Sequence, residues 1–236
     1  MKIRLFTIPN MLTLANLMCG ALAIVSIIAE RDYKAAFILV ILAAVFDFFD
    51  GFAARILKQC SPLGGELDSL SDVVSFGLAP AFVMMSLFAD GTTAIDSPMW
   101  SEYGYYIPLI IAMFSSLRLA KFNIDDEQSC EFIGLPTPAC ALFCVALGLL
   151  YTRGVVLCSE VIVAVSVILA LLLISPIKMF ALKFKGFGWR GNELRYSFIL
   201  TSIIMIITLQ HYALVLIIAL YILLSTLLHF SCKAKR

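Results

Sequence analysis

Eight stretches of this chain are each apolar over roughly the 20 residues a helix needs to cross a bilayer, and that repetition constrains the fold more than any other feature. They fall near 9–29, 35–57, 70–89, 105–122, 136–152, 157–176, 195–209 and 212–230. A composition of 62% hydrophobic and 14% charged residues, with mean hydropathy +1.01, excludes an ordinary soluble domain. The last two stretches are separated only by Gln210-His211-Tyr212. As one helix, residues 197 to 230 would run about 51 Å, too long for a hydrocarbon core of about 30 Å, so a hairpin is expected there. Lys2 and Arg4 precede the first stretch, but no small-residue cleavage site follows before Glu30, so a permanent helix is expected rather than a leader. The expected fold class is therefore all-α: a polytopic membrane helix bundle of about eight transmembrane helices.

Net charge is only +1, which gives no global bias toward nucleic acid, and none is expected as a partner. The placement of the basic residues is informative instead. With the N-terminus inside, one side of the membrane receives Lys2, Arg4, Arg55, Lys58, Arg118, Lys121, Lys178, Lys183, Lys185, Arg190, Arg195, Lys233, Lys235 and Arg236. The other receives Arg31, Lys34 and Arg153. Fourteen against three predicts both termini in the cytoplasm, and the even number of spans that this requires agrees with a final hairpin. Loops are short, so one membrane domain over 1–236 is expected. The outer connection "ADGTTAIDSPMWSEYGYY" carries Trp100 and three tyrosines suited to an interfacial belt. The connection "KMFALKFKGFGWRGNELRY" reads either as positive-inside anchoring or as a contact with anionic lipid. Seven scattered cysteines, an odd number, read as small apolar residues rather than a disulfide framework.

Against this background, "DFFDGFAARILKQCSPLGGELDSLSD" is anomalous. Asp47 and Asp50 are three residues apart and share a helix face; Asp68 and Asp72, four apart, do the same. Between them Pro62, Gly64 and Gly65 signal a turn, so two helices meet there, each presenting a carboxylate pair. Ionised carboxylates at a membrane are costly and repel one another, and Arg55 cannot neutralise four. One or two divalent cations would, and all-oxygen ligation suits Mg²⁺ or Mn²⁺. Solvated interfacial residues are the bland alternative. A cation transporter is another, although its acids would normally sit near mid-bilayer.

The order Asp47-x-x-Asp50-Gly51-x-x-Ala54-Arg55, eight residues, Gly64, three residues, Asp68, three residues, Asp72 resembles the complete signature of the CDP-alcohol phosphotransferase family. The resemblance implies transfer of a phosphatidyl-type group from a CDP-linked lipid to an alcohol, with release of CMP, at a site holding two divalent cations. It implies Asp47, Asp50 and Asp68 as metal ligands and Asp72 as both ligand and general base. Gly51, Ala54 and Gly64 would allow close approach of the nucleotide, and Arg55 would belong to the substrate or the carboxylate network. A covalent route through Asp50, Asp68 or Asp72 stays open beside direct displacement.

Three more stretches, "IPNMLTLANLMCGALAI", "SDVVSFGLAPAF" and "SSLRLAKFNID" followed by "GLPTPA", are similar to the membrane-embedded phosphatidylserine synthase branch. With the signature at 47–72 they mark residues 8–140 as the catalytic part and leave 141–236 as additional transmembrane helices. That branch implies CDP-diacylglycerol and L-serine as substrates, in an integral cell (inner) membrane protein whose site faces the cytoplasm. Within the family, glycerol 3-phosphate or an inositol phosphate is the alternative acceptor. Asn10, Thr13 and Asn16 recur every third residue on the first helix, either as an interhelical hydrogen-bond stripe or facing the nucleotide, the latter placing Thr13 and Asn16 among the CDP-binding residues. Arg118, Lys121 and Asn123 close the fourth span and are candidates for binding the acceptor's carboxylate or phosphate, or simply positive-inside charge. "GLPTPA" reads as a helix start, and His211 and His229 as bystanders. Helix faces rich in small residues leave a homodimer open.

Overall fold

The computed structural model describes residues 5–124, 132–180 and 192–234, and it is an all-α bundle of membrane-crossing helices. Lys2, Arg4, residues 181–191 of the basic connection, Lys235 and Arg236 lie outside the described residues.

Helix α1 (Ile8–Glu30) starts where the Thr7 hydroxyl accepts from the Asn10 N–H, with Pro9 in the first turn, where its missing N–H is no loss. It stops at Arg31, whose φ of 54° turns the chain left-handed. Asp32 then caps α2 (Tyr33–Ile56) by accepting from Lys34 and Ala35, each at 3.0 Å. A second reversal at Lys58, φ 52°, leads to Ser61, which caps α3 (Pro62–Asp72) with Pro62 in first position.

From α3 the helix runs without a break through a π-helical turn, Val73–Leu78, into α4 (Ala79–Asp90). This 29-residue rod is the axis of the bundle: 72% of its apolar window is buried, against 17–33% in the other long apolar segments. Sequence periodicity expects the third span to begin near residue 70. The helix instead begins at Pro62, so Asp68 and Asp72 sit on the same rod as the most buried span.

The chain returns as α5 (Pro98–Tyr103), a 3-10 turn and α6 (Ile110–Ile124), then α7 (Thr137–Tyr151) and α8 (Ser159–Ile174). Trp100, expected in an interfacial belt, packs its ring 5.9 Å from Phe88 on the rod, whereas Tyr103 and Tyr106 are exposed. As "GLPTPA" predicts, α7 begins there. Two-residue strands β1 (Phe132–Ile133) and β2 (Lys178–Met179) pair antiparallel and tie the α6–α7 connection to the one after α8. His229 Nδ1 accepts from the Lys178 N–H of this tie at 3.3 Å.

Helices α9 (Glu193–Leu209) and α10 (Ala213–Ala234) fold back on each other at Gln210, φ 43°. Phe198 and Tyr221 have ring centroids 6.1 Å apart; in a continuous helix 23 residues would separate them by about 34 Å. Five helical segments, 8–30, 33–56, 62–90, 98–124 and 193–231, are long and apolar enough to cross a membrane, and α7 and α8 are shorter apolar helices.

Candidate active site

One end of the bundle gathers the C-terminal turns of α2, the start of α3 and the start of α1. The α2–α3 turn is held by the Ser61 hydroxyl, which accepts from the Gly64 N–H at 3.1 Å. It brings Asp47 and Asp50 of α2 against Asp68 of α3, with one carboxylate oxygen from each within 4.8 Å of the others. Asp72 stands outside that group, one turn further along the rod. Asp50 and Asp72 are buried, 5% and 8% exposed.

The polar stripe of α1 is explained by these carboxylates. Thr13 Oγ1 donates to Asp50 Oδ2 at 2.6 Å, and Asn16 Nδ2 donates to Asp72 Oδ1 at 3.2 Å. Asn10, one turn before Thr13, lines the adjoining cleft. The stripe is thus an interhelical hydrogen-bond ladder with two of its rungs ending on aspartates. Its register is set deeper in the bundle. A Cβ on Gly20 would lie 2.6 Å from the Ser75 Cα, so only glycine lets α1 approach the π turn this closely. Ser75 Oγ then donates to the Asn16 carbonyl at 3.0 Å. The π turn immediately after Asp72 is a distortion frequent at functional sites, and no sequence signal marked it.

Among the described residues no lysine, arginine or histidine nitrogen comes within 4.0 Å of any of the four aspartates. Among the described residues Asp68 Oδ1 is buried without a donor. Like charges so close repel, and an orphaned buried carboxylate oxygen is costly. Three convergent carboxylates with nothing cationic between them fit a divalent cation that takes oxygen ligands.

A cleft of about 290 Å³ opens beside this cluster. Thr13, Asp50, Gly51, Ala54, Arg55, Gly64 and Asp68 all line it; Asn16 does not, its side chain donating to Asp72. Nothing lies within 4 Å of where a Gly51 Cβ would stand, so this glycine faces open space. Asn10 and Ser61 also line the cleft; a polar residue before a proline could have signalled Ser61 as a helix cap.

The three candidate acceptor residues are split. Asn123 Nδ2 donates to Ser69 Oγ at 2.8 Å, on α3 between Asp68 and Asp72. Arg118 Nη1 makes a long 3.4 Å bond to Thr137 Oγ1, while among the described residues its Nε is buried without a partner, and Asp72 lies within its electrostatic range. Arg118 and Lys121 line a separate small cavity of about 30 Å³, bounded by Ile133 and Ser175.

The profile of the CDP-alcohol phosphatidyltransferase family matches residues 6–174, which span α1 to α8 and contain every residue of this site. The chain belongs to the CDP-alcohol phosphatidyltransferase family. Relatives within it carry a more specific name. The chain is 33% identical over 213 residues to the CDP-diacylglycerol-serine O-phosphatidyltransferase of Methanocaldococcus jannaschii, covering 90% of each chain. It is 39% identical over 145 residues to the protein of the same name in Bacillus subtilis, covering 61% of this chain and 76% of that one. A Mycobacterium tuberculosis protein of that name is 32% identical over 153 residues, with 61% and 50% covered. The carboxylate cluster and its cleft lie within the stretch that the family profile matches, and α9 and α10 lie beyond it.

Proposed function

We propose that the protein transfers the phosphatidyl group of CDP-diacylglycerol to the hydroxyl of L-serine, giving phosphatidylserine and CMP. The observation that carries this reading is the cluster of Asp47, Asp50 and Asp68 at the edge of a cleft, with Asp72 one turn further along and hydrogen-bonded by Asn16. The names of the relatives supply the acceptor.

In this mechanism Asp47, Asp50 and Asp68, with Asp72 alongside, would hold two divalent cations, Mg²⁺ or Mn²⁺, which neutralise the pyrophosphate when bound. Gly51, Ala54 and Gly64 leave room for the nucleotide, and Arg55 at the rim meets its charge. Asn16 donates to one oxygen of Asp72, which fixes the carboxylate and leaves its other oxygen to take the serine hydroxyl proton. The serine oxygen bonds to the lipid-side phosphorus as the bond from that phosphorus to the CMP oxygen breaks, and CMP leaves. Burial of Asp50 and Asp72 limits water, which would otherwise compete as the acceptor. Arg118 would hold the serine carboxylate, Lys121 would add positive charge beside it, and Asn123 would brace the α3 face through Ser69.

The excess of basic residues on one side of the spans read from the sequence supports a site facing the cytoplasm, with both termini on that side of the inner membrane and an even number of spans, eight in this reading. The test is CMP release by detergent-purified protein given CDP-diacylglycerol and Mn²⁺ or Mg²⁺, with L-serine, glycerol 3-phosphate or an inositol phosphate added separately. Serine-dependent, EDTA-sensitive release is expected. Release with a phosphorylated alcohol alone would overturn the acceptor, and release with none would overturn the transferase reading.

A further inference from the structure

We infer that the C-terminal hairpin positions the acceptor pocket: Tyr221, Ser225 and His229 of α10 grip the strand tie that walls the Arg118 cavity, and so set the affinity for the acceptor alcohol. The inference rests on the proposed role of Arg118 and gives it positioning residues from a hairpin outside the stretch that the family profile matches.

Polar side chains on an apolar membrane helix need partners on a neighbouring element. Helix α10 carries Tyr221, Ser225 and His229 at four-residue intervals, which places them on one face. All three end on the backbone of residues 178–180. Tyr221 Oη donates to the Phe180 carbonyl at 3.3 Å, the Phe180 N–H donates to Ser225 Oγ at 3.4 Å, and the Lys178 N–H donates to His229 Nδ1 at 3.3 Å. Each bond is long, so the row acts as a set rather than through one member. The Phe180 ring is held as well, its centroid 4.9 Å from that of Tyr221 and 5.3 Å from that of Phe198 on α9.

The gripped segment carries a wall. Met179 and Lys178 pair with Phe132 and Ile133, and the Gly134 and Leu135 N–H groups donate to the Ile177 and Leu172 carbonyls, each at 2.9 Å. Gly134, at φ 79°, lies so close to the end of α8 that a Cβ there would collide with the Leu173 carbonyl. Strand β1, the end of α8 and residues 178–180 are therefore one packed unit. That unit supplies Ile133 and Ser175 to the cavity whose other side is Arg118 and Lys121 of α6.

The cavity measures about 30 Å³, room for about one water, so what can enter beside the two cations depends on where this wall stands. A wall already held in place also spares the acceptor the cost of ordering it. Tyr221 lies within the electrostatic range of Arg118 too, so α10 borders the guanidinium directly as well as through the tie.

The experiment is steady-state CMP release by the detergent-purified full-length protein with Mn²⁺, varying L-serine and CDP-diacylglycerol in turn. Wild type is compared with Tyr221→Phe, His229→Ala, His229→Asn and a Tyr221→Phe/Ser225→Ala double variant, and each thermal unfolding midpoint is recorded. Tyr221→Phe should raise KM for serine roughly 2- to 10-fold, the scale of one hydrogen bond, while kcat and KM for CDP-diacylglycerol change by less than about 2-fold. The double variant should raise KM for serine further. His229→Ala should also raise it, and His229→Asn, whose side-chain oxygen can accept from the Lys178 N–H in place of Nδ1, should restore it. A fall in kcat with KM for serine unchanged in Tyr221→Phe and His229→Ala would make the hairpin a structural support only and overturn the inference. A parallel rise in KM for CDP-diacylglycerol would overturn it as well. If wild type shows no serine-dependent release, the proposed function itself fails.

Discussion

The two ends of the bundle treat their carboxylates in opposite ways. At the end away from the cleft, Asp90 is closed off twice, by Arg31 Nη1 and by the Tyr33 hydroxyl, both at 2.5 Å. Nearby, Glu160 Oε1 accepts from Thr93 Oγ1 and from the Ala94 and Ile95 N–H groups at 2.8–3.1 Å, pinning the loop after α4 to the start of α8. At the cleft end, among the described residues, four aspartates have no basic nitrogen within 4.0 Å, and one buried oxygen of Asp68 has no donor. The same functional group is a clasp where its charge is matched, and where it is not it is the ligand set proposed above for a divalent cation. Unmatched charge lowers the stability of the fold, and that is expected where a cation and a substrate complete the structure.

The sharpest way to break this contrast is Asp72→Asn. CMP release should fall roughly 10²- to 10⁴-fold, the range supplied by a positioned general base, with the thermal midpoint unchanged. A loss of activity matched by unfolding would instead place Asp72 with the structural clasps. Chelation comes next. EDTA should abolish release and lower the midpoint, and Mn²⁺ should restore both. In Asp68→Asn the metal-dependent rise in midpoint should shrink, while the metal-free protein should be no less stable than wild type, since the substitution removes a repelling charge.

Gly20→Ala should do moderate damage at both levels. Its methyl would press on Ser75, destabilising by roughly 1–3 kcal/mol through overpacking, and the shift of α1 should reduce activity per folded molecule by moving Asn16 off Asp72. Asp90→Ala should have the smallest effect on catalysis. It removes the acceptor of the Tyr33 hydroxyl and should destabilise by about 1–2 kcal/mol, discounted because the Arg31 side chain is 49% exposed, with activity per folded molecule unchanged. Denaturation followed by activity, together with the midpoints, separates these two outcomes.

Much of the site could be read directly from residue spacing. Asp47 and Asp50, or Asp68 and Asp72, share a face because a helix places residues three and four apart together, and this needs no knowledge of the rest of the chain. The turn between them follows from Pro62 and the glycines, and the fold-back at 210–212 from the length limit of a bilayer. Pairings between helices were not legible. The stripe of Asn10, Thr13 and Asn16 is visible in the sequence, but its ladder onto Asp50 and Asp72 spans 37 and 56 residues, and no local pattern carries a register over that distance. Arg118, Lys121 and Asn123 look like one group in sequence, yet Asn123 reaches Ser69 while the other two line a different cavity.

By itself the sequence determined the class of fold, the family and the carboxylates, because partition into a membrane and i, i+4 proximity act on each segment alone. Only the tertiary structure decided that α3 and α4 form one central rod interrupted by a π turn, that Gly20 lets α1 settle against it, and that the amide and hydroxyl groups of α1 thereby meet the aspartates. Those are properties of surfaces packed together, and packing has no counterpart in any single stretch of chain.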